Sequence, residues 1–117
     1  MPFLQLELMA IQLLKRGANL DTKDDYGYTP FLKAIKNDAP GRIVDLLLER
    51  GADAHAVAED RKTALHFAAQ KSEEQIIRQM IKSGLSLEAE DKDGWRPLHE
   101  AARYGSKVAT AILAKNG

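Results

Sequence analysis

Two markers recur along this chain at one period. Glycines that close apolar runs stand at Gly17, Gly51, Gly84 and Gly117, in LLKRGAN, LLLERGAD, MIKSGLS and ILAKNG, spaced by 34, 33 and 33 residues. Between them, YTPFLKAI from Tyr28, KTALHFAA from Lys62 and WRPLHEAA from Trp95 recur at intervals of 34 and 33. A period of this length is the signature of a solenoid. Each unit is one supersecondary structure that buries its apolar face only against its neighbours.

Each unit reads as a short helix, a loop, a longer helix and an extended loop. Thr29-Pro30 has the chemistry of a helix start: the hydroxyl accepts from a free N–H, and Pro at the first helical position lacks an N–H that would have no partner. The first helices carry Phe31, Ala34 and Ile35, then Leu65, Ala68 and Ala69, then Leu98, Ala101 and Ala102 on one face. The second helices carry i, i+3, i+4 stripes: Ile43, Val44, Leu46 and Leu47; Ile76, Ile77, Met80 and Ile81; Val108, Ile112 and Leu113. Ser72 with Gln75 fits a capping box, and Gly17, Gly51 and Gly84 fit left-handed helix terminators. The linkers ANLDTKDDYGY and LSLEAEDKDGW are polar and turn-rich, suited to exposed hairpins.

Composition removes several function classes. Lys plus Arg and Asp plus Glu each number 17, so zero net charge gives no case for nucleic acid or an anionic membrane surface. With no cysteine there is no disulfide framework, thiolate metal site or cysteine nucleophile. Charge-free stretches reach only about eight residues, against roughly 20 to span a bilayer. The apolar start MPFLQLELMAIQLLKRGA lacks a basic leader and is interrupted by Glu7, so it is expected to belong to the fold. The absence of Cys and of Asn-x-Ser/Thr acceptors leads to an expected intracellular location, cytoplasmic or nuclear.

TPFLKAI, TALHFAA and RPLHEAA resemble the T-P-L-H-x-A-A signature of ankyrin repeats, and RGANLDTKD and RGADAHAVA resemble the G-A-D-x-N-A that closes each unit. The resemblance covers nearly the whole chain. It implies an all-α solenoid of antiparallel helix pairs with hairpins projecting at right angles. The expected division is a partial repeat over 1–23, full repeats over 24–57 and 58–90, and a partial repeat over 91–117. The departures are local. Leu32 replaces the motif His, Ala64 its Pro and Arg96 its Thr; Arg61 stands where the motif has a turn Gly. One extra residue in NDAPGR lengthens the loop between two helices. The first unit, with Leu6, Met9, Leu13 and Leu14 but without most of its first helix, is expected to promote self-association.

No catalytic or metal constellation emerges, and no cofactor is expected. His99-Glu100-Ala101-Ala102-Arg103 begins like H-E-x-x-H but has Arg where the second ligand must stand. DKDG at Asp91–Gly94 and DTKDDYG from Asp21 lack the calcium-loop spacing, with Ala102 and Leu32 at the twelfth positions. His66 and His99 read as helix-start histidines bonded to a nearby Thr and to loop backbone, and His55 as a turn residue.

Tyr26, Tyr28 and Trp95 fall at hairpin positions, and Tyr104 at the concave end of a first helix. These are contact positions in the resembled family, and Tyr and Trp are enriched in binding hot spots. The same rings could instead pack on neighbouring loops and stiffen the stack. Lys36, Lys62, Lys71, Lys92 and Arg103 share that surface and complete the expected partner-binding set. The resulting expectation is a non-catalytic module that binds a protein or peptide, with no nucleic-acid or membrane partner. The alternative is a structural spacer within a larger ankyrin-repeat protein.

Overall fold

A computed structural model describes residues 20–71 and 73–116. Three helix pairs follow one another: α1 (Pro30–Lys36) with α2 (Gly41–Glu49), α3 (Ala64–Lys71) with α4 (Glu74–Lys82), and α5 (Pro97–Arg103) with α6 (Lys107–Asn116). The short helices form an inner layer, α1 on α3 and α3 on α5, and α4 packs on α6 in the outer layer. Among the described residues the only strand-like feature is an isolated antiparallel bridge, Val57 with Thr63. No described helix is long and apolar enough to cross a membrane. The first unit's residues 1–19, with the Gly17 terminator and the apolar positions expected to self-associate, lie outside the described residues, as does Ser72.

The helix starts follow local chemistry. The Thr29 hydroxyl accepts from Leu32 N–H at 3.3 Å, with Pro30 at the first helical position. Arg96 occupies the equivalent place before α5 but gives no side-chain cap; instead its own N–H donates to His99 Nδ1 at 2.9 Å. α4 begins after Glu73, which makes no side-chain cap bond. Gly51 and Gly84 close α2 and α4 with φ of 96° and 87°, the left-handed geometry expected of them.

The core is one continuous apolar cluster. Phe31, Leu32, Ile35, Val44, Leu65, Ala68, Ala69, Ile77 and Met80 are buried within it, and Ala101, Ile112 and Leu113 extend it into the last helix pair. Small Ala side chains on α3 and α5 let the inner helices approach closely. Leu32, at the motif-His position, is fully buried, so this departure adds apolar core. Three expected apolar positions differ: Leu98 and Ala102 on α5, and Val108, which is 46% exposed at the start of α6. Leu98 is 38% exposed where its equivalent Leu65 is fully buried, and Ala102 is exposed where Ala69 is buried. The α3 positions are covered by the next inner helix, whereas no further described helix covers the matching face of α5.

The hairpins repeat one turn. Asp24, Ala58 and Asp91 each receive an amide bond from the residue three ahead, at Gly27, Arg61 and Gly94 (2.9–3.0 Å), and each donates to the carbonyl four ahead. The residue three ahead takes left-handed φ: 79° at Gly27, 67° at Arg61 and 79° at Gly94. Arg61 therefore occupies a turn-Gly conformation, as its alignment implies. Gly27 carries a second constraint, because a Cβ there would lie 2.6 Å from Glu59 N. Adjacent hairpins bond directly at both junctions: Glu59 N–H donates to Tyr26 O at 3.0 Å, and Lys92 N–H to Asp60 O at 2.9 Å beside Arg61.

Candidate partner-binding surface

The inner helices and hairpins gather the expected contact residues into two aromatic groups. In the first, Tyr28 packs edge-on against Phe67, ring centroids 5.7 Å apart, and Tyr26 lies 6.2 Å from Tyr28. Lys36 from the end of α1 places its ammonium 4.5 Å from the Tyr28 centroid. Tyr28 is half-buried against the core, whereas Tyr26 is 68% exposed. An open cleft of about 440 Å³ runs beside them, lined by Tyr26, Tyr28, Glu59, Asp60 and Lys92.

The second group lies on the last described repeat. Trp95 stands edge-on to His99 at 5.8 Å. The Arg103 guanidinium lies 5.3 Å from the Trp95 ring and 5.9 Å from the Tyr104 ring. Tyr104 caps the C-terminal end of α5 and is 56% exposed. His99 and Arg103 lie one helical turn apart on the same side of α5, and the extended Arg96 ahead of the helix brings the Trp95 ring back against both.

Between the two groups the chemistry changes. Lys62 sits at the position of Tyr28 and Trp95, but its ammonium turns inward, 2.5 Å from both Asp91 Oδ2 and Glu100 Oε1. Both carboxylates are buried, their side chains 2% and 1% exposed. Gln70 Nε2 donates to the other Glu100 oxygen at 2.9 Å. Asp91 Oδ1 also accepts from Asp93 and Trp95 N–H, each at 2.9 Å. Burial pushes Asp91 up, but Lys62 and the Trp95 and Asp93 amides outweigh it and hold the carboxyl at about 2. Burial likewise opposes the Lys62 ammonium, and the Asp91 and Glu100 carboxylates more than offset it, so the amine is held above its ordinary value.

His66 closes the same seam. Thr63 N–H donates to its Nδ1 at 3.1 Å, which puts the neutral ring's proton on Nε2, and that N–H donates to Trp95 O at 2.7 Å. Burial holds its pKa below the ordinary value. Both ring nitrogens are thus engaged, one locally and one with loop backbone of the next repeat, the role read from the sequence. His99 bonds the Arg96 amide, and the His55 amide bonds Asp53 Oδ1 at 2.8 Å in a turn.

The expected set therefore divides. Tyr26, Tyr28 and Lys36 form one group, and Trp95, Arg103 and Tyr104 the other. Lys92 is exposed at the cleft. Lys71 is drawn to Asp38 Oδ2 at 3.3 Å, across to the preceding repeat. Lys62 is committed to the interior. Sequence reasoning did not single out Asp91 and Glu100 as an internal pair. The available signal was Glu100 itself, a carboxylate at the Phe67 position on an otherwise apolar helix face.

A family model described as ankyrin repeats (3 copies) matches residues 32–117. The chain belongs to the ankyrin repeat family. Neurogenic locus notch homolog protein 1 of Mus musculus is 34% identical over 108 residues, covering 92% of this chain. Alpha-latrotoxin-Lhe1a of Latrodectus hesperus is 32% identical over 108 residues, covering 91%. The chain spans only 4% and 8% of these two relatives' lengths, so it matches a short segment of each and not the whole proteins. Ankyrin repeats are in general protein-interaction modules and are typically non-catalytic. In this ankyrin stack the three helix pairs and bonded hairpins supply the rigid frame on which the two aromatic groups stand.

Proposed function

We propose that this ankyrin stack is a non-catalytic module that binds a protein or peptide across its inner helices and hairpins, with Trp95, Arg103 and Tyr104 as the anchor. One observation carries the reading. Arg103 lies against two aromatic rings on an exposed face, where each ring keeps contact area free and the guanidinium keeps its hydrogen-bond donors. Aromatic and Arg side chains of this kind dominate binding energy at protein interfaces. Tyr26, Tyr28 and Lys92 at the cleft, with Lys36 over the Tyr28 ring, supply a second contact region. A cysteine-free sequence fits a reducing, intracellular setting.

The test is a Trp95→Ala, Tyr104→Ala double variant. It should keep its helical circular dichroism and most of its melting temperature. It should also lose the proteins that co-purify with the parent chain, since truncating a hot spot costs about 2 kcal/mol or more. Retention of every partner by a folded double variant overturns the assignment of this face. The binding surface would then lie elsewhere on the stack, or the segment would act as a spacer.

A further inference from the structure

Zero net charge conceals a segregation that the fold creates. The inner helices α1, α3 and α5 carry Lys33, Lys36, Lys71 and Arg103, all exposed. Their one carboxylate, Glu100, is buried against Lys62. The hairpin tips are acidic on balance, with Asp25, Glu59, Asp60 and Asp93 against Arg61 and Lys92. Two of the inner cations are already neutralised: Lys33 by Asp24 at 3.1 Å and Lys71 by Asp38 at 3.3 Å.

Lys36 and Arg103 differ from these. Each lies over aromatic rings, and neither is paired with a carboxylate among the described residues. They occupy one position of the repeat, with Gln70 between them, just as Tyr28, Lys62 and Trp95 occupy another. An aromatic–cation pair therefore appears twice, two repeats apart. In the intervening repeat, Lys62 and Gln70 are both turned onto Glu100. A cation resting on a ring is pre-positioned, so less side-chain freedom is lost when an anion docks.

Resting on the binding role proposed above, we propose that the partner is an extended peptide segment bearing two isolated carboxylates, one for Lys36 and one for Arg103. Inner helices at packing distances of 8–10 Å put the two cations roughly 16–20 Å apart. An extended strand rises about 3.3 Å per residue, so the two acids stand about five or six residues apart. The acidic tips beside the groove select against a continuous run of acid. Glu59 and Asp60 line the cleft with Tyr26, Tyr28 and Lys92, and the two carboxylates outweigh its one cation, so further carboxylates are disfavoured there.

A random 12-residue peptide display library panned against the full chain tests this. Enriched peptides should share two Asp or Glu residues five or six apart. The most enriched peptide, synthesised with a fluorophore, should bind Lys36→Gln and Arg103→Gln variants about tenfold more weakly each, a loss of about 1.4 kcal/mol. Replacing either peptide acid by its amide should have the same effect on the parent chain and little further effect on the matching variant. Circular dichroism of both variants should equal the parent's. Enriched peptides without paired acids, displaced by Trp95→Ala, would overturn the two-carboxylate rule while leaving the binding role intact. No enrichment at all would overturn both. Tighter binding of poly-glutamate or heparin than of the paired-acid peptide would show an unselective basic surface and overturn the rule as well.

Discussion

Lys62 meets Glu100 at the place in the stack where, one repeat earlier, Tyr28 meets Phe67. Positions 28 and 62 are equivalent in the repeat, as are 67 and 100. One contact is an edge-on ring pair at 5.7 Å and the other a 2.5 Å ion pair. The same backbone geometry thus supports an apolar joint and a charged one. The difference lies in failure. An apolar joint loses contact area in proportion to what is removed, whereas a buried ion pair that loses one member leaves an uncompensated charge.

Lys62→Met should therefore destabilise by about 3 kcal/mol, because Asp91 and Glu100 lose their shared cation. Lys62→Tyr with Glu100→Phe, which copies the earlier joint, should recover at least half of that loss. Urea unfolding of the single and paired variants gives the coupling directly. A pair less stable than the summed singles would mean that the second joint cannot accept the ring geometry.

The hairpin turns make an opposite-signed pair of predictions. Arg61 holds a left-handed φ of 67° with a side chain, so Arg61→Gly should stabilise by about 0.5–1 kcal/mol, strain relief exceeding the added unfolded-chain entropy. Gly27→Ala, at the matching turn, should destabilise by more than about 1 kcal/mol, because its methyl meets Glu59 N. Thermal melts of the two variants should move in opposite directions; parallel shifts would refute the turn argument.

Arg96 leaves α5 without a side-chain cap but pairs with Glu88 at 2.5 Å, both side chains largely exposed. A cap is worth about 0.5–2 kcal/mol and an exposed ion pair about 0.2–1 kcal/mol. Arg96→Thr should thus gain about 0.5–1 kcal/mol, and Glu88→Gln in the parent should lose less than that. If Arg96→Thr lowers the urea midpoint, the ion pair outweighs the cap.

Acid should weaken the stack in two steps. His66 is buried with its pKa below the ordinary 6.5, so the unfolded chain takes up the proton first and stability falls as pH drops below 6.5. Asp91 is held at about 2 against 3.8, so its contribution, on the order of 2 kcal/mol, is complete above pH 4 and is lost as pH falls towards 2. Lys62 has the reverse sign and loses its contribution only above pH 10.5. Unfolding midpoints of the parent and His66→Gln between pH 8 and 2 separate the steps: the variant should lack the first and keep the second. A parent curve flat from pH 7 to 5 would contradict the neutral, buried His66.

What the sequence determined by itself is everything set inside one repeat. The period, the Thr29 cap, the left-handed Gly51 and Gly84, and the turn role of Arg61 all depend on partners within about five residues, and such short-range chemistry is written in order along the chain. The tertiary structure decided the fate of side chains whose partners lie in another repeat. Lys62 finds Glu100 at a separation of 38 residues and Gln70 finds the same carboxylate at 30, so a lysine expected at the surface is withdrawn into the interior. The burial of Leu65 and the exposure of Leu98, identical residues at one motif position, have the same origin. A local motif specifies which face a helix presents, but burial requires a neighbour to cover that face, and neighbours are supplied only by the stack.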